Sequence, residues 1–251
     1  MTDLLKLSNL SLHRGGRALF SGLDCCCRAG EAVVILGPNG AGKSSLLLAL
    51  AGLMPADGAI EIDGQPLHHY TREERARLIA WQGALPPAEF GLTVGQRLEL
   101  AAAAGSGDIA AVAERMEIAA LLGRALGELS SGERQRTELA ALMLRDAPIW
   151  LLDEPTAHLD LKHQIQWIDI LKTERRQGRA IIAVLHDLQQ ALAIADALIL
   201  IDGQGGDGGE MSGVRYGRAD SLGTAAQLGE LFQAPVIKQG QILLPDYGES
   251  V

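Results

Sequence analysis

The stretch Val33-Val-Ile-Leu-Gly37-Pro-Asn-Gly-Ala-Gly42-Lys43-Ser44 decides the fold of this 251-residue chain. Four apolar residues lead into a loop that fits the pattern G-x-x-x-x-G-K-[ST], and an apolar helical segment follows it. Glycines let backbone N–H groups turn inward around an anionic oxygen, which a Cβ would obstruct. The helix that opens near Gly42 adds its positive dipole end. The stretch predicts a strand, a phosphate-binding loop and a helix, in that order.

The loop supplies the first candidate ligands of a nucleotide. We expect the Lys43 side chain to reach the β- and γ-phosphates and the Ser44 hydroxyl to bind Mg²⁺. A flexible Gly-rich turn is the alternative, which the strand before the loop and the helix after it disfavour. The predicted nucleotide contacts of the loop are Gly37, Pro38, Asn39, Gly40, Ala41, Gly42, Lys43, Ser44 and Ser45.

Two further apolar runs end in residues that can do chemistry. Ile149-Trp-Leu-Leu152 leads into Asp153-Glu154, and Ile181-Ile-Ala-Val-Leu185 leads into His186. Uninterrupted apolar runs indicate strands buried on both faces of a parallel sheet, and ligands bind outside the carboxyl ends of such strands. We expect the Asp153 carboxylate to hold Mg²⁺ and Glu154 to orient or deprotonate an attacking water. The fold class is therefore α/β, with a mainly parallel sheet covered by helices on both faces.

The pattern divides the chain into a core and an insert. Short alternating stretches between Leu4 and Ile62 predict an antiparallel β patch beside the parallel sheet. Residues 85–146 are rich in Ala and Leu at helical spacing, entered through Pro86-Pro87. We expect a nucleotide-binding core at 1–84 and 147–251 and a helical insert at 85–146. A helix is predicted from Asp160 to Gln177, and a Gly-rich loop from Gly203 to Gly217.

Composition narrows the class of partner. The chain has 22 Lys and Arg against 31 Asp and Glu, a formal net charge of -9, so it lacks the electrostatic footprint of a nucleic-acid binder. No apolar run reaches the ~18 residues that cross a bilayer, and no secretion signal opens the sequence. We therefore expect the chain to stay in the cytoplasm and to reach a membrane only through partners.

The segment Leu129-Ser130-Ser131-Gly132-Glu133-Arg134-Gln135 resembles the signature of the ATP-binding cassette (ABC) ATPases. Ser130 and Glu133 also fit a capping box for the helix that follows. The two readings agree, because a helix start exposes N–H groups that can bind phosphate. The family usually has Gly where this chain has Ser131. The resemblance implies that Ser130, Ser131, Gly132 and Glu133 contact ATP.

Other positions match the order of the family's motifs. Gln82 matches the glutamine that reports the nucleotide state to the membrane subunits and lies beside Mg²⁺. Asp160 matches the aspartate at the family's dimer seam, and His186 matches the histidine that contacts the γ-phosphate. His13 lies where the family usually has an aromatic residue on the adenine, and an imidazole offers less stacking area. By resemblance the catalytic residues are Lys43, Gln82, Glu154 and His186, and the metal ligands are Ser44, Gln82 and Asp153.

The resemblance covers the whole chain and implies a P-loop ATPase of the ABC type that hydrolyses MgATP for a transporter. Two copies would pair head to tail across two ATP, on two integral membrane permease subunits at the cytoplasmic face of the inner membrane. A secreted or periplasmic substrate-binding protein would act indirectly, and no nucleic acid is expected. The chain resembles importer ATPases for vitamin B12, haem and iron–siderophore complexes, and the segment 81–87 looks closest to the vitamin B12 type.

Three other classes of protein share parts of this pattern. A GTPase needs an Asn before a Lys to read its base, and the only asparagines are Asn9 and Asn39. A small-molecule kinase would share the phosphate-binding loop but gives no reason for the signature at Ser130. A single-cassette ABC ATPase of the iron–sulfur cluster assembly type stays open as the alternative to a transporter subunit.

Overall fold

The computed structural model describes residues 3–15, 17–83, 85, 91–203, 213–239 and 242–245. Residues 204–212 of the predicted Gly-rich loop lie outside the described residues, and so do Ala84, Pro86 and Pro87 of the segment 81–87. The described strands are β1 Asp3–Arg14, β2 Arg17–Arg28, β3 Ala32–Leu36, β4 Asp57–Ile62, β5 Gln65–Pro66, β6 Ile79–Gln82, β7 Ile149–Asp153, β8 Ala180–Val184, β9 Ala197–Ile201, β10 Val214–Arg218, β11 Val236–Gln239 and β12 Ile242–Pro245. The described α-helices are α1 Lys43–Leu50, α2 Arg72–Leu78, α3 Val94–Ala102, α4 Ile109–Arg115, α5 Ser131–Met143, α6 Leu161–Arg176, α7 Leu188–Ile194, α8 Ala219–Leu222 and α9 Ala225–Phe232.

A six-stranded sheet in the order β10-β9-β3-β8-β7-β6 forms the centre of the fold. The strands from β9 to β6 are parallel, and β10 is antiparallel to β9. The three apolar runs of the sequence are the neighbours β3, β8 and β7. Because parallel neighbours end at the same edge, the residues that follow these strands meet there.

Strand β3 shows why the sheet is buried on both faces. All five of its residues are buried. Val33 and Ile35 pack in an apolar cluster with α1 and the antiparallel sheet, whereas Val34 and Leu36 pack in a second cluster with α5 and α6. Successive side chains of a strand point to opposite faces, so an unbroken apolar run fills both clusters.

The predicted antiparallel patch is a four-stranded sheet in the order β2-β1-β4-β5. Within β1, Leu5 and Leu7 are buried, and then Leu10 and Leu12, so the buried positions change from odd to even numbers. The register against β2 shifts between Leu7 and Leu10, where Asn9 has a φ of 49°. A shift of one residue moves side chains to the other face, and this bulge therefore keeps all four leucines in the core.

Helices α3, α4 and α5 lie between β6 and β7 in the chain, where the sequence predicts the insert. The Arg97 guanidinium joins α3 to α5 by donating to both carboxylate oxygens of Glu138, at 3.0 and 2.6 Å. One apolar cluster contains Leu98 and Leu139 of these helices together with Trp150 of β7. Since the same core spans both parts, the division at 85–146 stays a prediction.

Two sequence expectations meet different outcomes in the second half of the chain. The helix predicted from Asp160 to Gln177 is confirmed as α6, with Asp160 at its N-cap and Gln177 at its C-cap. The loop predicted from Gly203 to Gly217 is wrong from Val214 onward, because Val214–Arg218 pairs with β9 as an edge strand. No helix in the described part of the chain has the length and apolar composition needed to cross a bilayer.

Candidate nucleotide-binding and hydrolysis site

The phosphate-binding loop connects β3 to α1, as predicted. Gly37, Gly40 and Gly42 have φ values of 155°, 80° and 102°, which side chains disfavour. A Cβ on Gly37 would lie 2.1 Å from the carbonyl oxygen of Ile201 in β9, so only glycine fits against that strand. Helix α1 begins at Lys43 with no side chain capping its first turn. The loop therefore brings helix-start N–H groups that no side chain caps to the edge of the sheet.

The Lys43 side chain bends back over this loop. Its ammonium donates to the carbonyl oxygens of Gly37 and Pro38, each at 2.8 Å. The residue is only 6% exposed, and burial lowers the pKa of the ammonium, while the carboxylates of Glu154 and Asp153 oppose that shift. The Lys43 ammonium is thus held by two carbonyls of the loop, and the carboxylates of Asp153 and Glu154 are close enough to affect its pKa.

Asp153 ends β7 beside the loop. Burial raises the pKa of its carboxyl, and the neighbouring Ser44 hydroxyl opposes that rise. The Oδ1 atom of Asp153 is buried and has no hydrogen-bond partner among the described residues. A buried oxygen without a donor fits a hard cation, which takes oxygen ligands. The residues present therefore fit a magnesium ion, and the roles of Ser44 and Asp153 as its ligands stay predictions.

Glu154 and His186 meet across the next strand ends. Glu154 Oε1 lies 2.6 Å from His186 Nε2, and each side chain is 45% exposed. Glu154 has a φ of 52°, and its backbone N–H donates to the carbonyl oxygen of Val184, at the end of β8. This left-handed turn follows directly on β7 and holds the backbone of Glu154 against the end of β8. The pair can orient a water and accept its proton.

Gln82 lies at the end of β6, next to β7 in the sheet. It is the register partner of Leu152, the residue before Asp153. The side chain is buried; its amide donates to the carbonyl oxygen of Gly83 at 2.6 Å, and its Oε1 atom is buried without a partner among the described residues. Gln82 thus offers a second unpaired oxygen on the strand adjacent to that of Asp153.

The signature segment begins α5 with the predicted capping box. The Ser130 hydroxyl oxygen accepts from the Glu133 N–H at 3.3 Å, and the Glu133 carboxylate accepts from the Ser130 N–H at 2.8 Å. The backbone hydrogen bond from Ser130 is the main cause that lowers the pKa of Glu133. Within one chain, this helix start is closed by its own side chains. The contacts of Ser130, Ser131, Gly132 and Glu133 with ATP stay predictions.

Gln135 is a site residue that sequence reasoning missed. Its buried side-chain amide donates to the carbonyl oxygen of Pro155 at 2.7 Å. Gly132 lies against the same turn, because a Cβ there would be 3.0 Å from the carbonyl oxygen of His158. The signature helix is thereby fastened to the turn that follows Glu154. Its place at the end of the signature motif was the only available signal.

Asp160 and His13 have local partners. The Asp160 carboxylate caps α6 by accepting from the backbone N–H of His163 at 2.9 Å, and its Oδ1 lies 2.7 Å from His163 Nδ1. His13 Nδ1 lies 3.3 Å from Asp57 Oδ2 on the antiparallel sheet, and both side chains are about half exposed or more. The predicted roles of Asp160 at a dimer seam and of His13 beside adenine remain predictions.

Comparison with known proteins places this geometry in a family. The sequence profile described as "ABC transporter" matches residues 20–157, more than half of the chain. The chain belongs to the ABC transporter family. The matched segment runs from β2 through the phosphate-binding loop, the signature and Asp153-Glu154.

Curated relatives of this ABC protein extend the match beyond the profile. The hemin import ATP-binding protein HmuV of Streptomyces coelicolor is 41% identical over 208 residues, covering 79% of this chain and 74% of that protein. The protein of the same name in Pseudomonas fluorescens is 35% identical over 241 residues, covering 88% and 87%. The predicted ATP-binding, ATP-hydrolysing transporter subunit is thereby confirmed. Membership implies ATP as the nucleotide, with membrane permease subunits and a second copy as partners.

Solved structures agree on the fold of this ABC subunit. An inward-facing metal-chelate type ABC transporter matches it with a TM-score of 0.78 over 98% of both chains, at 22% sequence identity. The ATP binding subunit of another ABC transporter matches with a TM-score of 0.77 over 91% of this chain and 94% of that one, at 24% identity. The predicted fold class is confirmed.

Proposed function

We propose that this chain hydrolyses ATP to power an importer of haem or a chemically similar metal chelate. The hydrolysis rests on one observation, the convergence of Lys43, Asp153 and the Glu154–His186 pair at the edge of the parallel sheet. The cargo rests on the relatives, which are named for hemin import at 35% and 41% identity. Those names favour haem over vitamin B12, to which segment 81–87 had pointed.

The chemistry follows from the positions of the side chains. The loop N–H groups and the Lys43 ammonium bind the β- and γ-phosphates, which holds the γ-phosphorus in place. Glu154 accepts a proton from water as the water oxygen bonds to that phosphorus and the bond to the ADP oxygen breaks. His186, 2.6 Å from Glu154, fixes the carboxylate and reaches the γ-phosphate. The products are ADP and inorganic phosphate.

We propose that Ser44, Asp153 and Gln82 hold Mg²⁺. Two of these residues carry buried oxygens without donors in the described chain, Asp153 Oδ1 and Gln82 Oε1, on adjacent strands. Oxygen ligands of this kind suit a small hard cation. When bound, Mg²⁺ would neutralise charge that develops on the phosphate oxygens.

A second copy would complete the site. The start of α5 is already capped by Ser130 and Glu133, so it folds without a phosphate, yet it keeps the positive end of the helix dipole. We propose that this helix start, with Ser131 and Gly132, contacts the γ-phosphate bound by the other copy, and that Asp160 lies at the seam. Two ATP would then close a head-to-tail dimer.

The membrane subunits would dock near Gln82. A groove of about 570 Å³ opens beside Trp81, and three cationic side chains line it: Arg72, Arg75 and Arg145. Leu53 at its rim is 63% exposed, which is high for a large apolar residue. We propose that a permease segment fills this groove and holds the chain at the cytoplasmic face of the inner membrane. A substrate-binding protein on the far side would act only through the permease.

The test is transport by the whole assembly. The chain is co-expressed with a candidate permease, and the complex is placed in liposomes with a candidate substrate-binding protein. Haem is expected to raise ATP hydrolysis and to enter the liposomes, and Lys43→Ala should abolish both. A response to vitamin B12 without a response to haem would overturn the cargo. Failure to co-purify with any membrane subunit would instead favour a soluble cluster-assembly ATPase.

A further inference from the structure

Two glutamine side chains connect the turn that ends at Leu159 with the helix that follows His186. Gln190 of α7 donates from Nε2 to Gln164 Oε1 at 3.0 Å. Gln164 of α6 donates from its own Nε2 to the carbonyl oxygen of Leu159 at 3.0 Å. We call these two hydrogen bonds the glutamine bridge. No motif of the sequence contains either glutamine.

The backbone fixes the direction of the bridge. The Leu159 carbonyl can only accept, so Gln164 must turn its NH₂ group toward it and leave its oxygen for the next partner. Gln190 must then present its NH₂ group to that oxygen. Its own Oε1 is left over, buried and without a partner among the described residues. An unpaired buried acceptor is unfavourable, so the bridge is a costly way to fill this space.

Both ends of the bridge lie next to groups of the proposed hydrolysis site. The turn that begins with Glu154 ends at Leu159, and the Ala157 N–H donates to the Glu154 carbonyl oxygen at 3.0 Å within it. On the other side, Asp187 follows His186 and caps α7 by accepting from the N–H groups of Gln189 and Gln190 at 2.7 and 3.0 Å. The bridge therefore spans the two segments whose side chains meet at Glu154 and His186.

We propose that Gln164 and Gln190 are positioning residues that hold the Glu154 turn and the His186 turn at the separation needed for hydrolysis. They touch no nucleotide and act through the backbone at Leu159 and the cap at Asp187. This inference rests on the proposed roles of Glu154 and His186. A pair with this task is expected to affect the rate of the chemical step rather than the binding of ATP, which the loop around Lys43 governs.

The experiment compares Gln164→Met, Gln190→Met and the double variant in the full-length chain. The matched control is Gln166→Met on the same helix, whose amide donates to the carbonyl oxygen of Arg115, away from α7. We expect each single variant to lower kcat about tenfold while KM for ATP changes by less than about twofold. The double variant should lose about tenfold rather than a hundredfold, because either change already breaks the bridge.

The direction of the hydrogen bond between Gln190 and Gln164 allows a sharper test of whether these residues position the turns or only fill space. Gln190→Lys keeps a donor toward Gln164 and should retain kcat within about twofold, whereas Gln190→Glu presents only acceptors and should resemble the Met variant. Unchanged kcat in both single Met variants would overturn the proposal. So would an equal loss in the Gln166→Met control, or a Gln190→Lys variant as slow as Gln190→Glu.

Hydrogen exchange separates this inference from the proposed function. Gln190→Met should speed backbone amide exchange at residues 157–162, which precede and begin α6, because it removes the side-chain amide that holds Gln164. The control Gln166→Met should leave the exchange at these residues unchanged. If the wild-type chain failed to hydrolyse ATP, the proposed function would fall, while the exchange result would still decide whether the bridge holds the turn. Equal exchange at 157–162 in wild type and Gln190→Met would refute the bridge by itself.

Discussion

Two helices of this chain begin at proposed phosphate sites, and they begin in opposite ways. Helix α1 starts after Gly42, which has a φ of 102°, and no side chain caps its first turn. Helix α5 starts with a complete capping box between Ser130 and Glu133. The uncapped start keeps its N–H groups for a ligand held within the same chain. The capped start is stable by itself and can wait for a ligand delivered by another chain.

The largest effect should come from stopping hydrolysis while both helix starts hold ATP. Glu154→Gln keeps the size of the side chain but cannot accept a proton, so kcat should fall by about 10²–10⁴. ATP-dependent dimerisation should persist, because neither helix start is altered. Turnover at the normal rate would remove Glu154 from the proton transfer. Size-exclusion chromatography with MgATP, beside a steady-state ATPase assay, checks both halves.

The uncapped start depends on its lysine. Lys43→Ala removes the ammonium that lies 2.8 Å from two loop carbonyls, and we expect ATP affinity to fall about 100-fold with loss of measurable turnover. Isothermal titration with an ATP analogue measures the affinity. The unfolding temperature should not fall, because a buried ammonium with a lowered pKa carries a desolvation penalty. If Lys43→Ala still hydrolysed ATP, the phosphates would have to be bound somewhere other than at the start of α1.

The start of α5 can be tested with two variants of Ser130, one that adds a charge and one that removes the cap. Ser130→Asp retains an N-cap acceptor but puts a carboxylate where a phosphate should bind, so ATP-dependent dimerisation should weaken about tenfold. Thermal stability should also fall somewhat, because the Ser130 hydroxyl donates to the Glu133 carboxylate at 2.8 Å and an Asp there would repel it. Ser130→Ala should lose about 1 kcal/mol in the free energy of unfolding and have a smaller effect on the dimer. An Asp variant that dimerises like wild type would show that no phosphate reaches this helix start.

The smallest effect concerns the base of the nucleotide. His13→Tyr enlarges the ring available for stacking on adenine, and we expect ATP to bind about threefold more tightly. The lost contact with Asp57 matters little, since it lies between exposed groups. His69→Tyr, at another exposed histidine, is the control. Unchanged or weaker affinity in His13→Tyr would remove this residue from the adenine site.

The fold was predictable where the sequence signal is local. An unbroken apolar run such as Val33–Leu36 indicates a strand that is buried on both faces. The glycines of the loop after it indicate a backbone conformation that other residues disfavour. Strand β6 escaped notice because it has four residues and includes Trp81 and Gln82. Strand β10 escaped because its glycine-rich surroundings indicate a loop, and it is held as an edge strand by β9 and by the Tyr216 hydroxyl, which donates to the Cys26 carbonyl oxygen at 2.7 Å.

The candidate site divides in the same way. Lys43, Ser44, Asp153 and Glu154 stand in motifs, because their tasks require a fixed spacing to a strand end. Gln135, Gln164 and Gln190 act through side-chain hydrogen bonds, two of which join different elements: Gln135 to Pro155, and Gln190 to Gln164. A contact between elements needs no fixed spacing in the sequence. Only the order of the strands and the packing of α6 against α7 bring them together.

The tryptophans give this protein two separate optical signals. Trp150 and Trp167 are fully buried, with parallel rings whose centroids lie 6.2 Å apart, and the Arg179 guanidinium lies 4.8 Å from the Trp150 ring. Their fluorescence will change when the apolar core that contains both rings unfolds. Trp81 is partly exposed and lines the groove that Arg72, Arg75 and Arg145 also line, so its emission will respond to an occupant there. An occupant of the groove should therefore change the Trp81 part of the emission, and unfolding should change the part that comes from Trp150 and Trp167.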